Sequence, residues 1–227
     1  MLNVMLLSHT PQPEKKIAVA ARLCYSKLTV SQLNEKLDDD TIKRLLQAVI
    51  ERGHHSVLEH AIFTFGIDGV SRVCTHQLVR HRVASFAQQS QRYVKMKGEL
   101  DYYTPVLIKR HEKANAIYED IMKKTKEAYD KMLELGIDKE DARYALPSST
   151  ASNIIVTMNV RELFHFLELR MCQRAQDEIR IIAYKMYNIL KEVCPIIFQY
   201  AGPTCKTSGI CKDEVEECVF YKKYCKR

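Results

Sequence analysis

The stretch AIFTFGI, residues 61–67, combines β-branched and aromatic side chains and is followed by Asp68-Gly69. A short run of this composition that ends in a turn dipeptide predicts a β-strand. A second run, SNIIVTM at 152–158, has the same character. These two strand candidates predict a small mixed or antiparallel sheet in the middle of the fold.

Long helices are predicted on either side of these strands. They cover 13–25, 41–52 with Asp40 as N-cap and Gly53 at its end, about 71–83, 110–135, and a helical region from Asn159 to Val193 interrupted near Cys172. Short helical turns are expected at 56–59 and between Asp138 and Pro147, and a loop at 102–105. Few strands and long helices, without a regular βαβ alternation, favour the α+β class. We predict a single domain over residues 1–202 and a cysteine-containing tail over 203–227.

The composition is that of an ordinary globular protein. The chain has 227 residues, of which 46% are hydrophobic and 28% charged, with a formal charge of +7. It shows neither the apolar region of a signal peptide nor an uncharged run long enough to span a bilayer. We therefore expect a cytoplasmic protein with no membrane partner.

Positive charge is concentrated in one region, around RHRVASFAQQSQRY at 80–93. There is no acidic residue between Asp68 and Glu99. Guanidinium groups beside hydroxyls and amides are suited to phosphate oxygens and to the edge of a nucleobase. The region therefore predicts a nucleotide site, and the alternatives are a solvated basic surface or a nucleic-acid-binding protein. A nucleic-acid-binding protein would need a wider spread of positive charge and a recognised motif.

The residues of this region resemble a known enzyme family. Arg80-His81-Arg82, seven residues and then Ser90 are similar to the signature of the flavin-dependent thymidylate synthases, and the continuation to Tyr93 matches too. Further blocks resemble the family in the same order along residues 15–200: RGHHSVLEHAIFTF, DARYALP, NVRELFHFLELR and AQDEI.

The resemblance implies an FAD-dependent methyltransferase of thymidylate biosynthesis. Such an enzyme converts dUMP to dTMP with methylenetetrahydrofolate as carbon donor and NADPH as reductant, releases tetrahydrofolate, and is a homotetramer whose active sites are shared between subunits. It uses no enzyme nucleophile, so Ser90 is assigned to binding. A different flavoenzyme or an inactive FAD-binding relative stays open, as does a preference for NADPH over NADH.

The resemblance also implies site residues. The flavin positions are His54, Ser56, Arg80, His81, Arg82, Asn159, Arg161 and His165. The dUMP positions are Gln77, Gln88, Ser90, Arg92, Arg143 and Arg170. Arg170 is expected to be catalytic by polarising the uracil, with a buried salt bridge as the alternative. Some members of the family carry an acid where this chain has Gln88, which leaves the role of Gln88 open. No metal ligand is assigned.

The eight cysteines fall into two groups. Four lie singly in amphipathic segments and are expected to be buried, reduced thiols: Cys24, Cys74, Cys172 and Cys194. The other four are in the tail: Cys205, Cys211, Cys218 and Cys225. Their spacing differs from that of common zinc motifs, so free thiols, a metal site and disulfides all stay open. Because the implied ligands lie upstream, we expect a chain cut after Gly202 to keep FAD binding and dTMP synthesis.

Overall fold

The structure, a computed structural model, describes residues 2–96, 98–211, 215 and 217–225. It has four strands: β1 (Asn3–His9), β2 (Ile62–Ser71), β3 (Ala84–Gln88) and β4 (Ala151–Asn159). They form one antiparallel sheet in the order β1-β2-β4-β3. With the many helices, this sheet confirms the α+β class.

The helices are mostly short, apart from three of 13 residues or more. Those before the loop at residues 102–105 are α1 (Pro13–Leu23), α2 (Val30–Lys36), α3 (Asp39–Glu51) and α4 (Arg72–Leu78). Those after it are α5 (Val106–Arg110), α6 (Glu112–Glu134), α7 (Lys139–Ala142), α8 (Val160–Arg170), α9 (Asp177–Val193), α10 (Pro195–Phe198), α11 (Thr204–Ser208) and α12 (Val219–Tyr224). Two 3-10 turns lie at His55–His60 and Arg143–Ala145.

The two predicted strands are present as the central pair, and each is slightly longer than predicted. Along β4, Ile154, Val156 and Met158 are buried while Asn153 and Ile155 are exposed. This alternation is the period of a strand with one face in the core. The edge strands β1 and β3 were not predicted.

Two helix boundaries differ from the prediction. The helix predicted at 71–83 ends at Leu78, because the chain continues as β3. Just beyond that strand, Gln89 donates its N–H to Asn153 O. The N-cap of α3 is Asp38 rather than Asp40, since its side chain accepts from Thr41 N–H. Asn159 caps α8 as predicted.

By their contacts the residues fall into two compact units. Unit 1 contains residues 66–80 and 86–156 with the first residues of the chain. Its helices include α4 and the long α6, whose Met122 and Tyr129 are buried. It positions one group of the predicted site residues.

Unit 2 contains residues 4–65, 81–85 and 157–227. Its core includes Phe63 and Phe198, whose rings meet edge to face at 6.2 Å. Glu14 of α1 stabilises the start of α10, because its Oε1 accepts from the N–H groups of Ile196 and Ile197 at 2.7 and 3.1 Å. These orphan donors at a helix N-terminus are thereby satisfied.

The predicted burial of the four upstream cysteines holds in part. Cys74 and Cys194 are buried and Cys172 is half-buried. The prediction is wrong for Cys24, which is exposed because it lies just beyond the last turn of α1. None of the described helices is long and apolar enough to cross a membrane.

Candidate active site

Three side chains of α8 surround one buried histidine, and we call His81, Glu162, His165 and Arg170 the His81 cluster. Asn159 starts α8, since its Oδ1 accepts from Glu162 N–H at 2.9 Å. Glu162 Oε1 lies 2.9 Å from His81 Nδ1, and Arg170 Nε donates to His81 Nε2 at 3.1 Å. The ring of His165 meets that of His81 edge to face at 5.5 Å. Side chains from successive turns of the single helix α8 thus hold His81 in place.

These hydrogen bonds define the protonation of His81. A guanidinium nitrogen can only donate, so His81 Nε2 accepts from Arg170 and Nδ1 carries the proton donated to Glu162. Burial lowers the pKa of His81, and the charges of Arg170 and His165 lower it further against the opposing hydrogen bond to Glu162. His81 is therefore a neutral imidazole that fixes the plane of the Arg170 guanidinium.

The His81 cluster also has the composition of a metal site. Within the part of the chain that the structure describes, His81, Glu162 and His165 are the one group of three candidate ligands with ligand atoms within 4.8 Å of one another. A metal ion would need a ring lone pair that His81 already uses toward Arg170, and the guanidinium beside it would repel a cation. The cluster is thus suited to orient Arg170 rather than to bind a metal.

An open cleft of about 900 Å³ in unit 2 adjoins the cluster, and we call it the α8 cleft. Glu162 and His165 contribute to its wall. Its other polar and aromatic lining includes Asn159, Arg161, Phe164, Tyr200 and Lys206. Cationic donors and aromatic rings in the same cleft match a ligand that carries both phosphates and a flat ring system.

Arg161 is the most exposed cation of the cleft and pairs with Glu59. An exposed ion pair contributes only about 0–1 kcal/mol, so an anionic ligand can replace Glu59 as the partner of Arg161. Arg161 also lines a second depression, of about 790 Å³, together with His54 and Ser56. One arginine is therefore shared by two depressions of unit 2.

Unit 1 has a separate groove of about 430 Å³, the Arg72 groove, lined by Arg72, His76, Gln91 and Arg143 among others. Burial, and after it the nearby charge of Arg143, lower the pKa of the Arg72 guanidinium. A cation whose charge is disfavoured by burial and by a second cation is stabilised by an anion bound beside it. The groove therefore has the electrostatics of a phosphate site.

Gln91 adds a second indication of a ligand in this groove. Gln91 is 9% exposed, and its Nε2 has no hydrogen-bond partner among the described residues. A buried donor left unsatisfied costs about 1–3 kcal/mol, so it is retained where a ligand satisfies it. The amide is suited to a carbonyl or phosphate oxygen.

Comparison with known proteins identifies the family. Residues 5–196 match the family described as thymidylate synthase complementing protein. The flavin-dependent thymidylate synthase of Geobacter sulfurreducens is 47% identical over 213 residues, which are 93% of this chain and 91% of that protein. That of Clostridium tetani is 40% identical over 233 residues, 96% of this chain and 93% of that protein.

The chain belongs to the flavin-dependent thymidylate synthases. Among solved structures, the UMP/dUMP methylase PolB from Streptomyces cacaoi, bound with 5-Br dUMP, is similar with a TM-score of 0.75 and 25% identity. The similarity covers 88% of this chain and 93% of that chain.

The flavin positions implied by the family all lie in unit 2 except Arg80. Arg80 and Arg82 are exposed in the loop between α4 and β3, not at a helix end as predicted. His81 between them is 3% exposed, so it can influence a ligand only through the residues that surround it. Asn159 and His165 line the α8 cleft, and Arg161 lines both depressions.

The dUMP positions implied by the family lie in unit 1, apart from Arg170. Arg143 lines the Arg72 groove, and Gln77 lies half-buried on α4. Gln88 uses its amide N–H groups internally, toward Thr75 Oγ1 and Ser152 Oγ. Its carbonyl oxygen is the atom that it can offer to a base.

Ser90 and Arg92 also have local partners. Ser90 Oγ accepts from the backbone N–H of Arg92, and Arg92 pairs with Glu140 at 2.6 Å in an exposed position. The exposed pair can be exchanged for a phosphate at low cost.

Sequence reasoning did not assign several residues that line these sites or position their groups: Glu162, Arg72, His76, Gln91, Phe164, Tyr200 and Lys206. In the sequence, Glu162 was noted only as part of a capping pair with Asn159. An acid on the apolar face of a helix nevertheless indicates a buried partner. Gln91 lay inside the acid-free stretch and carried no separate signal.

Proposed function

We propose that this chain catalyses the reductive methylation of dUMP to dTMP, with methylenetetrahydrofolate as carbon donor and NADPH as reductant, and releases tetrahydrofolate. The observation that carries the proposal is the Arg72 groove. Its two guanidiniums and its buried, unpaired Gln91 amide suit an anionic nucleotide. The relative PolB is bound with 5-Br dUMP, which supports the same class of substrate.

FAD fits the α8 cleft by the chemistry of its walls. Arg161 and Lys206 would hold the phosphates, while Phe164, Tyr200 and His165 offer flat surfaces to the ring system. When bound, FAD supplies the hydride that reduces the transferred carbon. The other flavin positions, His54, Ser56, Arg80 and Arg82, are proposed to bind the remainder of the cofactor.

Arg170 is proposed to stabilise charge that develops on the uracil. Its contact with His81 is with a neutral partner, so that hydrogen bond orients the guanidinium without neutralising it. Such a preorganised donor contributes to catalysis because it needs no reorganisation in the transition state. Replacement by alanine is expected to cost on the order of 3 kcal/mol in transition-state stabilisation.

We also propose a homotetramer with shared active sites. On α6, Ile117 and Ile121 lie one turn apart and are 63% and 48% exposed, and Leu107 of α5 is 81% exposed. An association between subunits would remove this apolar surface from water. The predicted cytoplasmic location stays a prediction.

The turnover experiment uses the purified, FAD-loaded protein with dUMP, methylenetetrahydrofolate and NADPH, and with NADH in parallel. We expect dTMP and tetrahydrofolate in equal amounts from a species with the mass of four chains. Stoichiometric dihydrofolate would contradict hydride donation by the flavin, and absence of dTMP would contradict the function itself.

The groove is tested by Arg72→Gln and Gln91→Leu, with Arg110→Gln on the exposed end of α5 as the matched control. Each groove variant is expected to weaken dUMP binding by roughly thirtyfold, about 2 kcal/mol, with FAD affinity unchanged. Unaltered dUMP affinity in both variants, measured by calorimetry, would remove the groove from the substrate site.

A further inference from the structure

The cysteines of the C-terminal tail gather at one place in unit 2. Cys205 lies in the first turn of α11, and Cys225 follows α12, which packs against α11. Cys205 and Cys225 lie close enough for their charges to interact, and so do Cys211 and Cys225. Three thiols that are six and fourteen residues apart in sequence thus come together through two short helices.

A fourth thiol reaches this group from outside the tail. Cys172, just beyond α8, lines a cavity of about 270 Å³ together with Cys205 and Cys211. Cys218 is placed differently, because it starts the helix that Cys225 ends. Seven residues of helix separate those two residues by about 10 Å along the axis, too far for both to reach a single ion easily.

We propose that Cys172, Cys205, Cys211 and Cys225 form a tetrahedral site for a zinc ion. Four thiolates without an open position are the ligand set of structural zinc, and soft sulfur disfavours calcium and magnesium. Binding releases the thiol protons to solvent and forms four Zn–S bonds, with no oxidation or reduction.

The surroundings of the thiols are those of thiolate ligands. A zinc ion with four thiolates carries a net charge of −2, and Arg170 and Arg174 line the same cavity. Lys206 adds positive charge near the same thiols. Burial lowers the pKa of Lys206, and the charges of Lys191 and Lys223 lower it further.

Binding requires the four sulfurs to move closer together. Among the residues that the structure describes, these sulfurs do not form a group of three within 4.8 Å of one another. A free cysteine thiol is largely protonated at neutral pH, and metal-free thiol sulfurs keep van der Waals separation. A zinc ion replaces those protons and draws the sulfurs to about 2.3 Å from itself.

The first measurement is the metal content of the full-length protein, purified under reducing conditions in zinc-supplemented medium. We expect one zinc per chain in the wild type and a loss of at least nine tenths in Cys205→Ser and Cys211→Ser. Cys218→Ser and Cys24→Ser are the matched controls and are expected to keep their zinc. A Cys218→Ser variant that loses zinc as completely as Cys211→Ser would overturn this ligand set.

The second measurement uses intact wild-type protein and therefore does not depend on the folding of variants. Titration of the FAD-free, zinc-free protein with Co²⁺ is expected to give thiolate charge-transfer and tetrahedral d–d absorption that saturates at one ion per chain. No such spectrum, iron with inorganic sulfide in the purified protein, or a thiol count reduced by a disulfide would each overturn the zinc site. The proposal is independent of thymidylate synthesis, because neither readout uses turnover.

Discussion

At the scale of single residues, the protonation of His81 follows from the partners on either side of it. Arg170 can only donate and Glu162 accepts, so one tautomer satisfies both contacts. Reversing the tautomer would place two N–H groups against each other inside the protein. Glu162 is in this sense a positioning residue for Arg170, acting through His81.

Replacing Glu162 tests this arrangement. Glu162→Leu leaves the buried Nδ1–H of His81 unpaired, so we expect a loss of about 1–3 kcal/mol in the free energy of unfolding. Glu162→Gln keeps an acceptor and is expected to recover most of that stability. Urea denaturation measures both, with Glu35→Leu on exposed α2 as a control expected to change by less than about 0.5 kcal/mol. Equal stability of the leucine and glutamine variants would contradict the proposed hydrogen bond.

A pH dependence follows from the lowered pKa of His81, which faces Glu162, Arg170 and His165. The unfolded chain binds a proton at His81 more readily than the folded chain does. The contribution of neutral His81 to the free energy of unfolding is therefore fully present above about pH 6.5, the ordinary histidine pKa. It is lost as the pH falls toward the lower pKa that His81 has in the folded protein. We expect the difference in unfolding free energy between pH 7 and pH 5 to shrink in His81→Gln. An unchanged pH profile would show that His81 does not titrate between the two states.

At the scale of secondary-structure elements, composition predicted what is long or central and missed what is short or at an edge. The strands β2 and β4 are rich in β-branched residues, and α6 is a long, highly charged run followed by Gly136, so all three were predicted. The five residues of β3, ASFAQ, carry a weak local signal, and pairing with β4 decides their conformation. The loop position of Arg80–Arg82 was missed for the same reason. The family signature located these site residues, whereas their burial and partners required tertiary structure.

The start of α10 gives a prediction at this scale. Glu14 accepts from two backbone N–H groups, yet burial outweighs them and raises its pKa, so its charge is a net cost in the folded state. We expect Glu14→Gln, which keeps the acceptor without the charge, to be at least as stable as the wild type at pH 7. Glu14→Ala should lose about 1–2 kcal/mol, the range for a lost helix cap. A glutamine variant as unstable as the alanine variant would contradict this account.

At the scale of the whole molecule, the described tail residues belong to unit 2 rather than lying apart from it. Thr204 Oγ1 donates to Glu168, and Lys206 Nζ donates to the carbonyl oxygens of Gln199 and Ala201 at 3.2 and 2.7 Å. The side chain of Lys206 crosses so close to Gly202 that a Cβ atom there would lie 2.7 Å from its Cδ. The start of the tail is thus attached to the wall of the α8 cleft.

This attachment refines the expectation that a chain ending at Gly202 keeps FAD binding. Such a chain lacks Lys206 and Thr207, which line the cleft. We now expect FAD affinity to fall by roughly tenfold, about 1.4 kcal/mol, measured by quenching of flavin fluorescence. A chain ending at Ser208 is the matched control, because it keeps both lining residues, and it should bind FAD more tightly than the shorter chain. Equal affinity of the two truncations would remove Lys206 and Thr207 from the cofactor site.

The unpaired amide of Gln91 has a consequence for the engineering of this protein. A selection for heat resistance alone would favour an apolar residue such as leucine or methionine at position 91, because the substitution removes an unsatisfied buried donor. The variants that survive such a selection would be thermally stable but would bind their nucleotide weakly. Libraries built to raise thermal tolerance while retaining turnover should therefore keep glutamine at this position and look for their gains elsewhere.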